Sequence, residues 1–221
     1  MYNTAGAFLQ QQEETNMILE FIFRWFHVLF GVVWIGMLYY FNFVQTEYFK
    51  EAEAGAKADA MKKLAPRALW WFRWGAMFTF LTGLVLLYLV GATQNMLGMP
   101  LIWIGALAGT IMFLNVWLII WPKQQVVLGM KPGDGPSSAA KAGLASRTNT
   151  LLSGTMLLGM LGSKHLAINV SEAGFFVCVA IILLVEANAL FGKLGPLTTV
   201  KGVIHCSIGL AALLWVLLSF I

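Results

Sequence analysis

Six apolar stretches, each near the length that crosses a bilayer, set the limits on how this chain can fold: 17–44, 69–90, 101–121, 151–166, 174–191 and 200–221. A helix rises about 1.5 Å per residue, so about 20 residues match the roughly 30 Å of hydrocarbon in a membrane. Of the 221 residues, 59% are hydrophobic and only 11% charged, against about a quarter charged in an ordinary soluble domain. So few charges cannot cover a wet surface, and lipid is the expected solvent. The prediction is an all-α integral membrane protein, one transmembrane domain over 1–221 built as a bundle of about six helices. The fourth stretch is short and carries Gly154, Gly159 and Gly162; its alternative is a re-entrant or strongly bent segment. Pro66, Pro100, Pro122 and Pro196 fall at the ends of spans, where helix boundaries favour proline.

Basic residues orient the bundle. Lys50, Lys57, Lys62, Lys63 and Arg67 follow the first span. Lys123, Lys131, Lys141 and Arg147 lie in the 122–147 loop, and Lys193 and Lys201 follow the fifth span. The opposite side has Lys164, while Arg24 and Arg73 lie within spans. Positive charge marks the cytoplasmic side, so both termini are expected on the periplasmic or exterior face. The same distribution argues against a nucleic-acid partner for the net charge of +4, because the basic residues sit in loops between apolar spans. The first sixteen residues hold Gln10, Gln11, Gln12, Glu13 and Glu14 without Lys or Arg, unlike a cleaved signal peptide. Trp70, Trp71, Trp74 and Trp121 stand at span ends as interfacial anchors. Within the 122–147 loop, Lys131 to Ser138 is turn-rich, and a short helix is expected over 138–146. Cys178 and Cys206 lie in apolar runs as buried thiols. Neither C-x-x-C nor C-x-x-C-H occurs, so the sequence encodes no covalent c-type haem attachment.

Ionisable groups inside spans cost about 2.5–3.5 kcal/mol each on insertion scales, so each is a candidate for function. His27 lies about 15 Å into the first helix, with Arg24 one turn toward the exterior, Glu20 one turn further and Gly31 one turn below. This pattern suits haem b: the imidazole binds iron, Gly31 leaves room for the porphyrin, and Arg24 pairs with a propionate. It equally suits a histidine hydrogen-bonded to a neighbouring helix, with Arg24 reaching headgroups. His165 and His205 are the other two histidines and the candidate partners of His27. Straight-helix counting sets His27 between them, about 10–15 Å from either along the membrane normal. The same counting places Arg73, Asn115, Glu186 and His205 in one layer near the cytoplasmic ends of their spans. That layer reads either as a quinone, substrate or proton site, or as a polar cluster joining helices.

Several stretches resemble the membrane domain of the bacterial cytochrome c-linked urate oxidases. They are Arg24-Trp25-Phe26-His27, Trp34-Ile35-Gly36, Trp71-Phe72-Arg73-Trp74, Gly109-Thr110-Ile111-Met112 with Asn115, Pro122-Lys123-Gln124 and Ser163-Lys164-His165. The resemblance implies a multi-helix module of the bacterial inner membrane tied to redox chemistry. In that family the C-terminus leads into a periplasmic cytochrome c domain, which this sequence lacks. It makes His27 and His165 the preferred haem-iron ligands or active-site groups, with Arg24 and Asn115 as propionate or polar-site residues. Where the family would carry histidines, this chain has Trp103 and Asn149. Three functions are expected in turn: a haem-b electron-transfer or anchor subunit of a larger membrane redox complex, a urate oxidase-like enzyme working with a separate cytochrome c, and a haem-free structural or transport subunit.

Overall fold

The computed structural model describes residues 4–221, with only the backbone described for Thr4, Ala5, Ala7 and Leu9. All six predicted spans return as helices, and no strand occurs among the described residues. Helix α1 runs Thr4–Tyr39, passes through a π-helical stretch at Tyr40–Gln45 and ends as Thr46–Glu51. Helix α2 covers Ala54–Leu89, α3 Pro100–Val127, α4 Gly135–His165, α5 Glu172–Phe191 and α6 Val200–Phe220. Five of these, all but α4, are long and apolar enough to cross a membrane.

Local chemistry sets the boundaries. Gly91, at φ +70°, ends α2 in the left-handed conformation that glycine adopts without a Cβ penalty. Asp134 caps α4 by accepting from the Ser137 amide at 3.3 Å. Ser171 caps α5 through the Gly174 amide and Thr199 caps α6 through the Gly202 amide, each at 3.0 Å. These side chains satisfy amides that the first helical turn leaves without partners.

Two expectations change. Pro66 and Pro122 do not end their helices. Each stands two residues past a π-helical stretch, Ala60–Leu64 and Asn115–Ile120. The carbonyl four residues back, which a proline ring would strike in a regular helix, lies inside that wider turn. The 122–147 loop also shrinks to 128–134, because α4 is one unbroken helix rather than a short helix followed by a span. Its polar first half stays helical because Arg147, Thr148, Asn149 and Thr150 are buried against neighbouring helices. The re-entrant alternative is excluded by the same continuity.

Helix α4 is the hub, packing against α3, α5 and α6 and touching α1, while α1 pairs mainly with α2. Its approach to α3 is close enough that a Cβ on Gly159 would stand 2.6 Å from the Gly105 backbone and the Leu101 carbonyl oxygen. Phe72, Met112, Leu152, Ile182 and Leu214 fill the core between the helices. The outer surface is apolar too: Phe176, Leu184 and Phe220 are among many large hydrophobic side chains left exposed. Such a surface is compatible with lipid contact.

Candidate functional site

A cavity of about 290 Å³ opens between α1, α2, α3 and α4, and both His27 and His165 line it. At the cavity mouth α4 meets α1, where Lys164 Nζ lies 3.9 Å from Glu20 Oε1 and Glu20 also pairs with Arg24. His165, the last residue of α4, is exposed at this mouth. His27 lies seven residues beyond Glu20, about 10 Å further in. The two imidazoles therefore share one cavity at different depths.

The half-buried His27 ring is held by α2. Its Nδ1–H donates to the Thr79 carbonyl oxygen at 2.9 Å and lies 3.2 Å from Thr82 Oγ1. A carbonyl can only accept, so the proton sits on Nδ1, and Nε2 remains without a partner among the described residues. Room for the ring comes from Gly83, where a Cβ would stand 3.0 Å from His27 Cε1. Gly31, the glycine expected to make space, does not line the cavity. A Cβ there would meet only the Thr79 methyl at 3.9 Å.

Small residues of α3, Ala106, Gly109 and Thr110, form one wall, and Met156 and Met160 of α4 form another. At the inner end stands Trp34, 2% exposed, whose indole N–H has no hydrogen-bond partner among the described residues. Buried donors are ordinarily paired, and water or an entering group could supply the partner here. The chemistry is that of an apolar slot with one free imidazole nitrogen at depth and Arg24, Lys164 and His165 at the rim. No group of three or more His, Cys, Asp or Glu able to hold a metal ion occurs among the described residues. A metal centre here would have to bring most of its own ligands.

The expected polar layer forms only in part. Asn115 Nδ2 donates to Glu186 Oε2 and to Asn149 Oδ1, each at 2.9 Å, and Asn149 Nδ2 donates to the Met112 carbonyl oxygen at 2.9 Å. Arg73 is elsewhere, its guanidinium 3.8 Å above the Trp121 ring centre. His205 is exposed on α6, with no hydrogen bond to Glu186 and no place in the cavity. The layer is thus Asn115, Asn149 and Glu186, joining α3, α4 and α5. Sequence reasoning missed Asn149, Thr79, Thr82 and Gly83 as site residues. Two threonines and a glycine within five residues of an otherwise apolar span were the signal available.

Residues 92–192 match the urate oxidase N-terminal family. No curated protein and no solved structure matches the chain. The family segment begins in the α2–α3 connection and runs through α5. It contains Asn115, Asn149, Glu186, Lys164 and His165, whereas Arg24, His27 and the α2 residues that hold His27 lie outside it.

Proposed function

We propose that the chain is a urate oxidase-related, multi-pass protein of the bacterial inner membrane that carries haem b in the α1–α4 cavity and passes electrons within a larger redox complex. The observation that carries this reading is the orientation of His27: Nδ1–H is fixed on the Thr79 carbonyl, which leaves Nε2 free on a residue that lines an apolar cavity. A metal-ligating histidine characteristically donates its other ring N–H to a carbonyl or carboxylate, which fixes the tautomer and strengthens the ligand.

The residues present fit the group. His27 would hold the iron, the apolar walls would enclose the porphyrin, and Arg24 and Lys164 at the mouth would pair with its carboxylates. His165 shares that rim, so it is better placed to meet a carboxylate than the iron held by His27. Met156 and Met160 line the same cavity, and their thioethers would be the alternatives for helping His27 hold the group. When bound, such a group supplies one-electron exchange. This chain supplies orientation, exclusion of water and charge at the rim.

On this reading 1–221 is one transmembrane domain, with the basic loops cytoplasmic and both termini periplasmic. Lipid surrounds it, and electrons arrive or leave through other membrane redox subunits or a separate cytochrome c. The test is a reduced-minus-oxidised optical spectrum of the protein purified in mild detergent from haem-replete cells. A b-type spectrum with haem in stoichiometric amount is expected; a colourless preparation overturns the reading.

The family match favours a second reading, a urate oxidase-like membrane enzyme that delivers electrons to a separate cytochrome c. Urate-dependent reduction of added cytochrome c by the purified protein would establish it. A haem-bearing preparation inert toward urate would leave only the first.

A further inference from the structure

We propose that Glu186 is a proton-carrying carboxyl group, taking up and releasing a proton at the junction of α3, α4 and α5. The inference uses none of the residues of the haem reading and stands or falls apart from it.

Glu186 lies within α5, five residues from its end, and is the only acidic residue in α5 beyond the first-turn Glu172. The interior of α3, α4 and α6 contains no acidic residue at all. Its single hydrogen-bond partner among the described residues is a neutral amide, the Asn115 Nδ2 group at 2.9 Å. The charged or titratable groups on the helices packed against α5 are Lys123 on α3, Lys141, Arg147, Lys164 and His165 on α4, and Lys201, His205 and Cys206 on α6. None forms an ion pair with Glu186 among the described residues; Arg147 turns to Glu47 at 4.0 Å and Lys164 to Glu20. Arg73, the cation expected to neutralise it, is stacked on Trp121 instead.

A half-buried carboxylate inside an apolar helix, with one neutral donor and no counter-ion among the described residues, is a costly way to tie three helices together. The amide pair Asn115–Asn149 already links α3 to α4, and a glutamine at 186 would accept the same bond from Asn115. What a carboxyl offers beyond an amide is exchange between two protonation states. Glu186 stands five residues, about 7.5 Å, from the loop end of α5, so a proton exchanged there would pass to the water at that end. The Asn115 N–H is directed at one carboxyl oxygen, so the other is the one that carries the proton.

The test is covalent labelling of the full-length protein in membranes with dicyclohexylcarbodiimide, an apolar reagent that adds to protonated carboxyl groups in apolar surroundings, read by peptide mass spectrometry. At mildly acid pH, Glu186 should be labelled at least ten-fold more than Glu20, which is ion-paired with Arg24 at the cavity mouth. Labelling should fall as the buffer is made alkaline. In Glu186→Gln the adduct at position 186 should vanish while the thermal midpoint stays at the wild-type value, because glutamine keeps the acceptor. A Glu186 that stays unlabelled at mildly acid pH, or is labelled no more than Glu20, overturns the proposal. So does labelling that does not change with pH. None of these outcomes depends on whether haem is bound, so a colourless protein with a labelled Glu186 would sink the haem reading alone.

Discussion

The imidazole of His27 is fixed by the backbone of another helix: its Nδ1–H meets the Thr79 carbonyl oxygen at 2.9 Å, across the main contact of α1 with α2. Thr79 can offer that oxygen to a side chain because Thr82 and Gly83, in the next turn of α2, bring a small hydroxyl and no Cβ to the place where the ring lies. The ring is therefore aimed before any ligand arrives, which reduces the ordering that binding would require.

His27→Ala should abolish bound haem b, seen as loss of the reduced-minus-oxidised spectrum in a protein that is still extracted and monodisperse. Thr82→Val removes only the longer of the two contacts to Nδ1, at 3.2 Å, and should retain haem. Stoichiometric haem in His27→Ala would exclude this residue as the iron ligand.

Asn149→Ala should destabilise the bundle by about 1–3 kcal/mol, the usual cost of leaving a buried hydrogen-bonding group without its partner. Asn149 is fully buried and stands between the Asn115 amide and the Met112 carbonyl, each at 2.9 Å. Its truncation strands one donor of Asn115 and leaves Glu186 as that amide's remaining acceptor. The measurement is the thermal midpoint in mild detergent. A midpoint unchanged from wild type would show that the amide pair contributes nothing to holding α3 against α4.

The helices were legible because apolar run length and proline punctuation report directly on local structure. The run from Arg147 to Thr150 was not, because four polar residues in succession read as loop unless the neighbours that bury them are known. Pro122 misled for a related reason: the π-helical stretch that lets α3 continue past it has no signature in composition. At the site, the resemblance paired His27 with His165 while depth counting set them apart, and both line one cavity at different depths. Whether two helices present their histidines to the same space depends on their register and tilt, which counting along each helix does not report. Arg73 was placed in the polar layer by depth, but the Trp121 ring lies closer than any carboxylate, and depth says nothing about which way around a helix a side chain points.

Two glycine-to-alanine substitutions should have opposite effects. In Gly159→Ala the new methyl would stand 2.6 Å from the Gly105 backbone and the Leu101 carbonyl oxygen, atoms that cannot swing aside. Overpacking of this kind costs about 1–3 kcal/mol, so the thermal midpoint should fall. In Gly36→Ala the methyl meets nothing within 4 Å, and replacing glycine in a helix interior by alanine gains about 0.5–1 kcal/mol. Equal midpoints for the two variants would mean that α3 and α4 are not in contact at Gly105 and Gly159.

Tags at both ends should lie in the periplasm. The residues near α1's start include Glu13, Glu14 and no Lys or Arg, whereas Lys50 at its far end and Lys57, Lys62 and Lys63 at the start of α2 lie on the other side. Positive charge holds its side of a bilayer cytoplasmic, while acidic residues contribute little to orientation. An even number of crossings then returns the C-terminus to the side on which the chain began, and the Glu20–Lys164 ion pair places the C-terminal end of α4 at that same outer level. Helix α4 is the crossing that decides the count, since composition alone would exclude it. The measurement is protease digestion of intact spheroplasts with a tag at either terminus. Both tags should be cleaved without lysis. Protection of the C-terminal tag alone would remove α4 or one of its neighbours from the set of full crossings, and protection of both would invert the bundle.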